Sequence, residues 1–183
     1  MEIRYKQADS LKELEQILEL QVQNLPDSLT REEREQQGFV TVRHDLELLK
    51  KMNDVCGHVI AKDGSQLAGY ALSMHPEFSN SIPVLKPMFK RLEKLLPDTC
   101  RYLVMGQVCV SRAYRSRGIF RGLYQNMQQL LANDFELIVT EVDEANQRSM
   151  KAHEAIGFKE LCRYSSGGQD WHVISLPTAP VHT

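Results

Sequence analysis

The sequence predicts an α/β domain in which strands and helices alternate, and three observations carry that reading. An apolar run from Tyr102 to Val110 leads through a glycine turn into Ile119, Leu123, Met127, Leu130 and Leu131, which recur at the helical period. A further strand, Phe135 to Val142, precedes a short segment with Asn146 as helix N-cap and Gly157 as its C-terminal stop. Upstream, two strand-like runs, His58 to Lys62 and Gln66 to Met74, flank Asp63-Gly64, a hairpin signal. No repeat or low-complexity linker interrupts this alternation.

In chain order, Glu2 to Gln7 reads as the first strand. Ser10 with Glu13 forms a capping box that opens a helix carrying Leu11, Leu14, Ile17, Leu18 and Val22, ended by Leu25 and Pro26. Thr30 with Glu33 opens a short charged helix that Gly38 terminates, and Asp45 caps a third helix through Leu46, Leu49 and Met52. In the hairpin, Asp63-Gly64 is expected to supply the positive φ angles of a type I′ turn. Between Pro76 and Arg101, Pro87 and Pro97 bound a helix with Met88, Phe89, Leu92, Leu95 and Leu96 on one face. That helix either covers exposed core or serves as a pocket wall, lid or dimer contact. Two last strands, Lys159 to Tyr164 and Trp171 to Leu176, are split by Gly167 and Gly168. The expected organisation is one domain over residues 1–177 with a loose tail at 178–183.

Composition excludes several function classes. The 183 residues are 42% hydrophobic and 25% charged, ordinary for a globular chain. A chain of this length buries roughly 70% of its unfolded surface in one core. A net charge of −2 argues against general nucleic-acid binding. No apolar run approaches the roughly 20 residues needed to span a bilayer. Met1 to Lys12 lacks a signal-peptide core, so a cytoplasmic location with no membrane partner is expected. Cys56, Cys100, Cys109 and Cys162 form no CxxC, and the six histidines show no HExxH, which argues against a metal or a disulfide framework.

The chemistry concentrates in Tyr114 to Gly122 (YRSRGIFRG), a basic glycine turn between strand and helix. A helix starting near Gly118 offers N–H groups without intrahelical partners at the positive end of its dipole. Arg112, Arg115, Arg117 and Arg121 add charge, so the expected guest is a phosphate. There is no GxxxxGK[ST] and no GxGxxG, which removes the P-loop and dinucleotide readings. The turn resembles motif A of the GCN5-related N-acetyltransferases, [QR]xxGx[GA], matched by Arg115, Ser116, Arg117, Gly118 and Ile119. Phe120 departs from it, where the family has Gly or Ala; its ring either crowds the pyrophosphate or turns into the core. Asn146 to Phe158 (NQRSMKAHEAIGF) is similar to the family's NxxSxxxYexxGF segment, with His153 in the tyrosine position.

The resemblance implies a mixed, mostly antiparallel sheet flanked by helices. It also implies transfer of an acetyl group from acetyl-CoA to a primary amine in a direct ternary complex. The amine belongs to a small molecule or a peptide, and the enzyme acts as monomer or homodimer without a metal. Arg115, Ser116, Arg117, Gly118, Ile119 and Phe120 would meet the pyrophosphate, backbone groups of Val108 and Val110 the pantetheine and carbonyl, and Asn146 and Ser149 the coenzyme arm. His153 would protonate the departing thiolate. Glu141, at the end of its strand, is the leading candidate base, with His75 its rival; Cys109 between Val108 and Val110 reads as packing rather than an acyl nucleophile. Val104 stands where the histone-acetylating branch carries a carboxylate, so that mechanism does not transfer. The competing reading is a non-catalytic acyl-CoA-binding sensor or interaction module with the same fold.

Overall fold

The computed structural model describes residues 2–25 and 42–179. The chain divides into two compact units, Met1–Met74 with Met105–Met127 and His75–Val104 with Gln128–Thr183.

In the first unit, β1 (Ile3–Gln7), β2 (Val59–Asp63) and β3 (Gln66–Met74) form an antiparallel meander in which Tyr5 pairs with Ala61 and Ala61 with Gly69. Helices α1 (Leu11–Val22) and α2 (Leu46–Val55) supply Leu14, Ile17, Leu20 and Leu49 to a core shared with Ile60, Tyr70, Leu72 and Cys109. Asp45 caps α2 as expected, accepting the Leu48 N–H at 2.8 Å.

Three expectations for this unit are corrected. The buried face of α1 is Glu13, Leu14, Ile17, Leu20 and Gln21, whereas Leu11 and Val22 are 52% and 42% exposed. Polar partners turn the helix: Lys6 and Lys62 hold the Glu13 carboxylate at 3.0 and 2.8 Å, and Gln21 bonds Gln107 and His44 inside. The capping box is also shifted, because Ser10 accepts the Glu13 N–H while Glu13 takes the N–H of Asp9 instead of Ser10. In the hairpin Asp63 pairs with Gln66, so the central residues are Gly64 and Ser65, and only Gly64 has positive φ (58°). That is the type II′ pattern, with glycine first.

A polar chain crosses this core. Gln21 Oε1 accepts the backbone N–H of His44, so its amide nitrogen is the donor to Gln107 Oε1 at 2.7 Å and to His44 Nδ1 at 2.9 Å. Tyr70 donates to the same Gln107 oxygen at 2.6 Å, and Gln107 donates to the Val42 carbonyl at 2.8 Å. Burial holds His44 neutral, with its pKa lowered to about 4.

In the second unit, β5 (Leu137–Asp143) runs parallel to the start of β4 (Tyr102–Val110), with Leu103 opposite Ile138. On its other edge β5 pairs antiparallel with β7 (Gln169–Pro177), which pairs with β6 (Lys159–Ser166). The hairpin between β6 and β7 turns on Gly167 and Gly168, both at positive φ (62° and 76°), as a type I′ turn requires. Helix α3 (Lys86–Leu95), preceded by two 3-10 turns, buries Met88, Phe89 and Leu92 but leaves Leu95 47% exposed. Its buried side therefore covers core.

Helix α4 (Ile119–Leu131), like β4, contributes residues to both units, and α5 (Gln147–Glu154) belongs to the second. The strands are hydrogen-bonded in the order β1-β2-β3-β4-β5-β7-β6. The result is the expected mixed, mostly antiparallel sheet. Thr178 is buried and donates its N–H to the Glu136 carbonyl at 3.0 Å, so the first residue of the expected tail is tied down. Residues 180–183 and the charged helix expected from Thr30 to Gly38 lie outside the described residues. Among the described residues no helix is long and apolar enough to cross a membrane.

Candidate functional site

The first unit carries the glycine turn. A 3-10 turn, Arg112–Tyr114, ends β4, and Arg115 follows in extended geometry. Ser116 and Gly118 then take positive φ, 60° and 78°. Alternating φ signs bring successive N–H groups toward one side, the geometry of an anion nest. Gly118 is also the helix N-cap residue, since its carbonyl accepts the first intrahelical bond, from Gly122 N–H at 2.9 Å. The first turn of any helix presents N–H groups that its own carbonyls do not reach. A Cβ built on Gly118 would find nothing within 4 Å, so the backbone here faces open space. These features fit a pyrophosphate.

The other glycine of the turn has a different task. A Cβ on Gly122 would lie 2.1 Å from the Tyr5 hydroxyl oxygen, so Gly122 is there for close packing of α4 against β1. Arg115 likewise braces the turn: Nε donates to the Val110 carbonyl at 3.2 Å and Nη2 to the Asn24 side chain at 2.7 Å. Arg112, Arg117 and Arg121 are exposed, with the Arg117 guanidinium 6.0 Å from the centre of the Tyr114 ring. Tyr114 itself is buried and donates toward Asp63 and Gln66 at 3.2 Å. Ile119 is buried, and the Phe120 ring packs edge-on against Tyr124 with centroids 5.2 Å apart. On β4, Val108 and Val110 are half-buried while Cys109 is buried, its thiol pushed up to about 12 by burial. Such a thiol stays protonated, which fits packing.

The second unit carries the titratable candidates. Asn146 caps α5 by accepting the Ser149 N–H at 3.2 Å, and Gly157 ends it at φ 117°. His153 is buried; its ring lies edge-on to Phe158 at 5.0 Å. Nδ1 sits 2.8 Å from the Ser149 carbonyl oxygen and 3.3 Å from the Ser149 hydroxyl. A carbonyl only accepts, so Nδ1 carries the proton, and burial lowers the imidazolium pKa to about 4. At neutral pH the ring is uncharged, with its proton on Nδ1 and none on Nε2. That arrangement suits an acceptor better than an acid.

Glu141 shows the opposite behaviour to an ordinary surface carboxylate. It lies opposite Val173 on β7, half-buried, and accepts a hydrogen bond from the Tyr164 hydroxyl. Burial raises its pKa to about 7, and the Tyr164 bond offsets part of that rise. Tyr164 belongs to β6, and the Arg91 guanidinium of α3 stands 5.8 Å from its ring centre. Neither residue is part of a motif, so sequence spacing held no signal for them. His75 stands at the start of the 3-10 turn after β3, with Nδ1 2.9 Å from the Glu77 carboxylate. Among the described residues no group of three His, Cys, Asp or Glu side chains could hold a metal ion.

Comparison with known proteins agrees with the geometry. Residues 14–158 match the profile of the "Acetyltransferase (GNAT) family". No curated protein sequence matches the chain. Among solved structures, the NatC complex bound to Gag peptide and CoA superposes with a TM-score of 0.66 at 17% identity, over 97% of this chain and 99% of that one. The ribosomal-protein-S18-alanine N-acetyltransferase from Escherichia coli gives 0.62 at 12% identity, over 100% and 99%. YncA from Salmonella typhimurium, with its cofactor acetyl-CoA, gives 0.64 at 12%, over 99% and 96%. These likenesses show a common fold. With the family profile covering most of its length, the chain belongs to the acetyltransferase (GNAT) family and is an acetyl-CoA-dependent acetyltransferase.

Proposed function

We propose that the protein transfers the acetyl group of acetyl-CoA directly to a primary amine, with Glu141 as the general base. The observation that carries the base assignment is the half-buried Glu141 carboxyl, bonded by the neutral Tyr164 phenol and pushed up to about 7 by desolvation. An alkylamine of pKa about 10.4 is neutral in only about one molecule in 2,500 at pH 7, so removing its proton matters. A base titrating near the working pH balances availability against driving force. The amine nitrogen forms a bond to the thioester carbonyl carbon, Glu141 takes the ammonium proton directly or through water, and the carbon–sulfur bond breaks to release the thiolate. Backbone N–H groups on β4, at Val108 or Val110, are assigned to the carbonyl oxygen. A thiol of pKa near 8.5 is a good leaving group, so the neutral His153 is given no large share as acid.

The pyrophosphate is assigned to the turn from Arg115 to Phe120, where the left-handed residues and the open space over Gly118 support it. The acceptor is a small-molecule or peptide amine; the peptide in the NatC structure supports the second. Titration calorimetry with CoA, paired with a coenzyme-thiol assay over acetyl-CoA and pooled amines, tests the reading. CoA binding with amine-dependent thiol release is expected. Binding without release from any amine would turn the assignment into a sensor, and absence of binding would remove the coenzyme site. Gly118→Val adds a side chain where φ is 78° and should weaken CoA binding at least about tenfold, more than Arg112→Ala does.

A further inference from the structure

We propose that Tyr164 is a positioning residue for Glu141, holding its carboxylate in the orientation and ionisation state that a base needs. The inference rests on the reading of Glu141 as base. The sheet register brings the two together. Glu141 stands opposite Val173, and Val173 opposite Cys162; two residues along, Asp143 stands opposite Trp171, and Trp171 opposite Tyr164. All of these side chains emerge on one face, because residues opposite one another share it.

Tyr164 and Glu141 are separated by the whole width of β7, about 9.6 Å between strand axes, plus a two-residue offset. Only a long side chain reaches diagonally across that gap. The phenol does so and donates to Glu141 Oε2. Arg91, an exposed residue of α3, places its guanidinium over the same ring at 5.8 Å, which restricts the ring further.

The chemistry of this pair is directional. Burial and the neighbouring Glu141 push the Tyr164 phenol above its ordinary range, so it keeps its proton and remains a donor at any working pH. A donor to Oε2 favours the ionised carboxylate and leaves Oε1 as the atom that accepts the amine proton. Among the described residues the charged or titratable groups on this face near Glu141 are Asp143, whose oxygens accept from Ala145 N–H and Gln169, the Cys162 thiol, raised by burial, and Arg91 itself. Val173 and Trp171 of β7 bring no charge. The Tyr164 hydroxyl is thus the group that opposes the burial of Glu141.

Tyr164→Phe removes the hydroxyl and keeps the ring under Arg91. The Glu141 carboxyl is followed by carbon-13 NMR in protein labelled at glutamate, with Glu141→Gln identifying its resonance. In the Phe variant the Glu141 pKa should rise, because a bond to the charged form is gone. With acetyl-CoA and the pooled amines, the acid limb of kcat/KM should move to higher pH in step, so the rate falls severalfold at pH 7 and recovers by pH 9. An unchanged carboxyl titration, or a rate loss equal at every pH, would overturn the role of Tyr164. A carboxyl that shifts while the rate profile does not would overturn Glu141 as the base and leave the pairing intact.

Discussion

Glu13 is buried and Glu141 half-buried, one in each unit, and their pKa values shift in opposite directions. Burial pushes each carboxyl upward, but Glu13 meets the Lys62 ammonium, the Asp9 N–H and the Lys6 ammonium, and these outweigh burial and leave it at about 2. Glu141 meets one neutral phenol, and burial prevails at about 7. The cations and donors at hand set the direction for Glu13, and desolvation sets it for Glu141. A carboxylate surrounded by ammonium groups is a structural anchor that no proton leaves or enters at working pH. One with a single neutral donor stays reactive, at a cost to stability.

The largest expected consequence is in turnover. Glu141→Gln keeps the shape and an oxygen for Tyr164 but accepts no proton, and should lower the amine-dependent rate about 100-fold or more with CoA affinity unchanged. Near-normal turnover would dissolve the contrast between reactive and structural glutamate. The same variant should be more stable than wild type at alkaline pH. A folded pKa above the unfolded value of about 4.5 means that the native state holds the proton more tightly, so wild-type stability falls as pH rises from about 4.5 through 7. Melts at pH 5 and pH 8 should show the variant's advantage growing between them by about 2–3 kcal/mol.

Glu13 carries the opposite sign. Its depressed pKa stabilises the fold fully above pH 4.5, and that contribution is lost as pH falls toward 2. Glu13→Gln leaves Lys6 and Lys62 without their shared carboxylate and should cost about 1–2 kcal/mol at pH 7 by denaturant melts, with a weaker acid-induced loss below pH 4.5. A variant as stable as wild type at neutral pH would show that the anchor contributes little.

His153 sharpens the contrast from a third side, as a buried group that burial makes neutral. His153→Asn can still donate to the Ser149 carbonyl, and turnover per folded molecule should change by less than about threefold. A tenfold loss that alkaline pH does not restore would return the ring to the chemistry as an acid.

What was legible in the sequence was local. The Gly118 turn, the Asn146 and Asp45 caps and the strand and helix periods follow from backbone sterics and from bonds made within a few residues, which spacing encodes. Motif-bearing residues 115–120 and 146–153 were therefore found where the chain folds them. The rest depends on partners far along the chain. Which side of α1 is buried was decided by Lys62 and Gln107, 49 and 86 residues away from the groups they bond. The hairpin register selected Gly64-Ser65 over Asp63-Gly64 because strand pairing places the turn. His153 was visible as a residue, yet its tautomer came from the Ser149 carbonyl it folds against. Glu141 could be named from sequence alone, whereas its elevated pKa and its phenol partner exist only because β7 lies between β5 and β6 and lets Tyr164 reach across. Charge, solvation and proton position are properties of assembled surroundings, and a linear sequence specifies them only after the strands have chosen their neighbours.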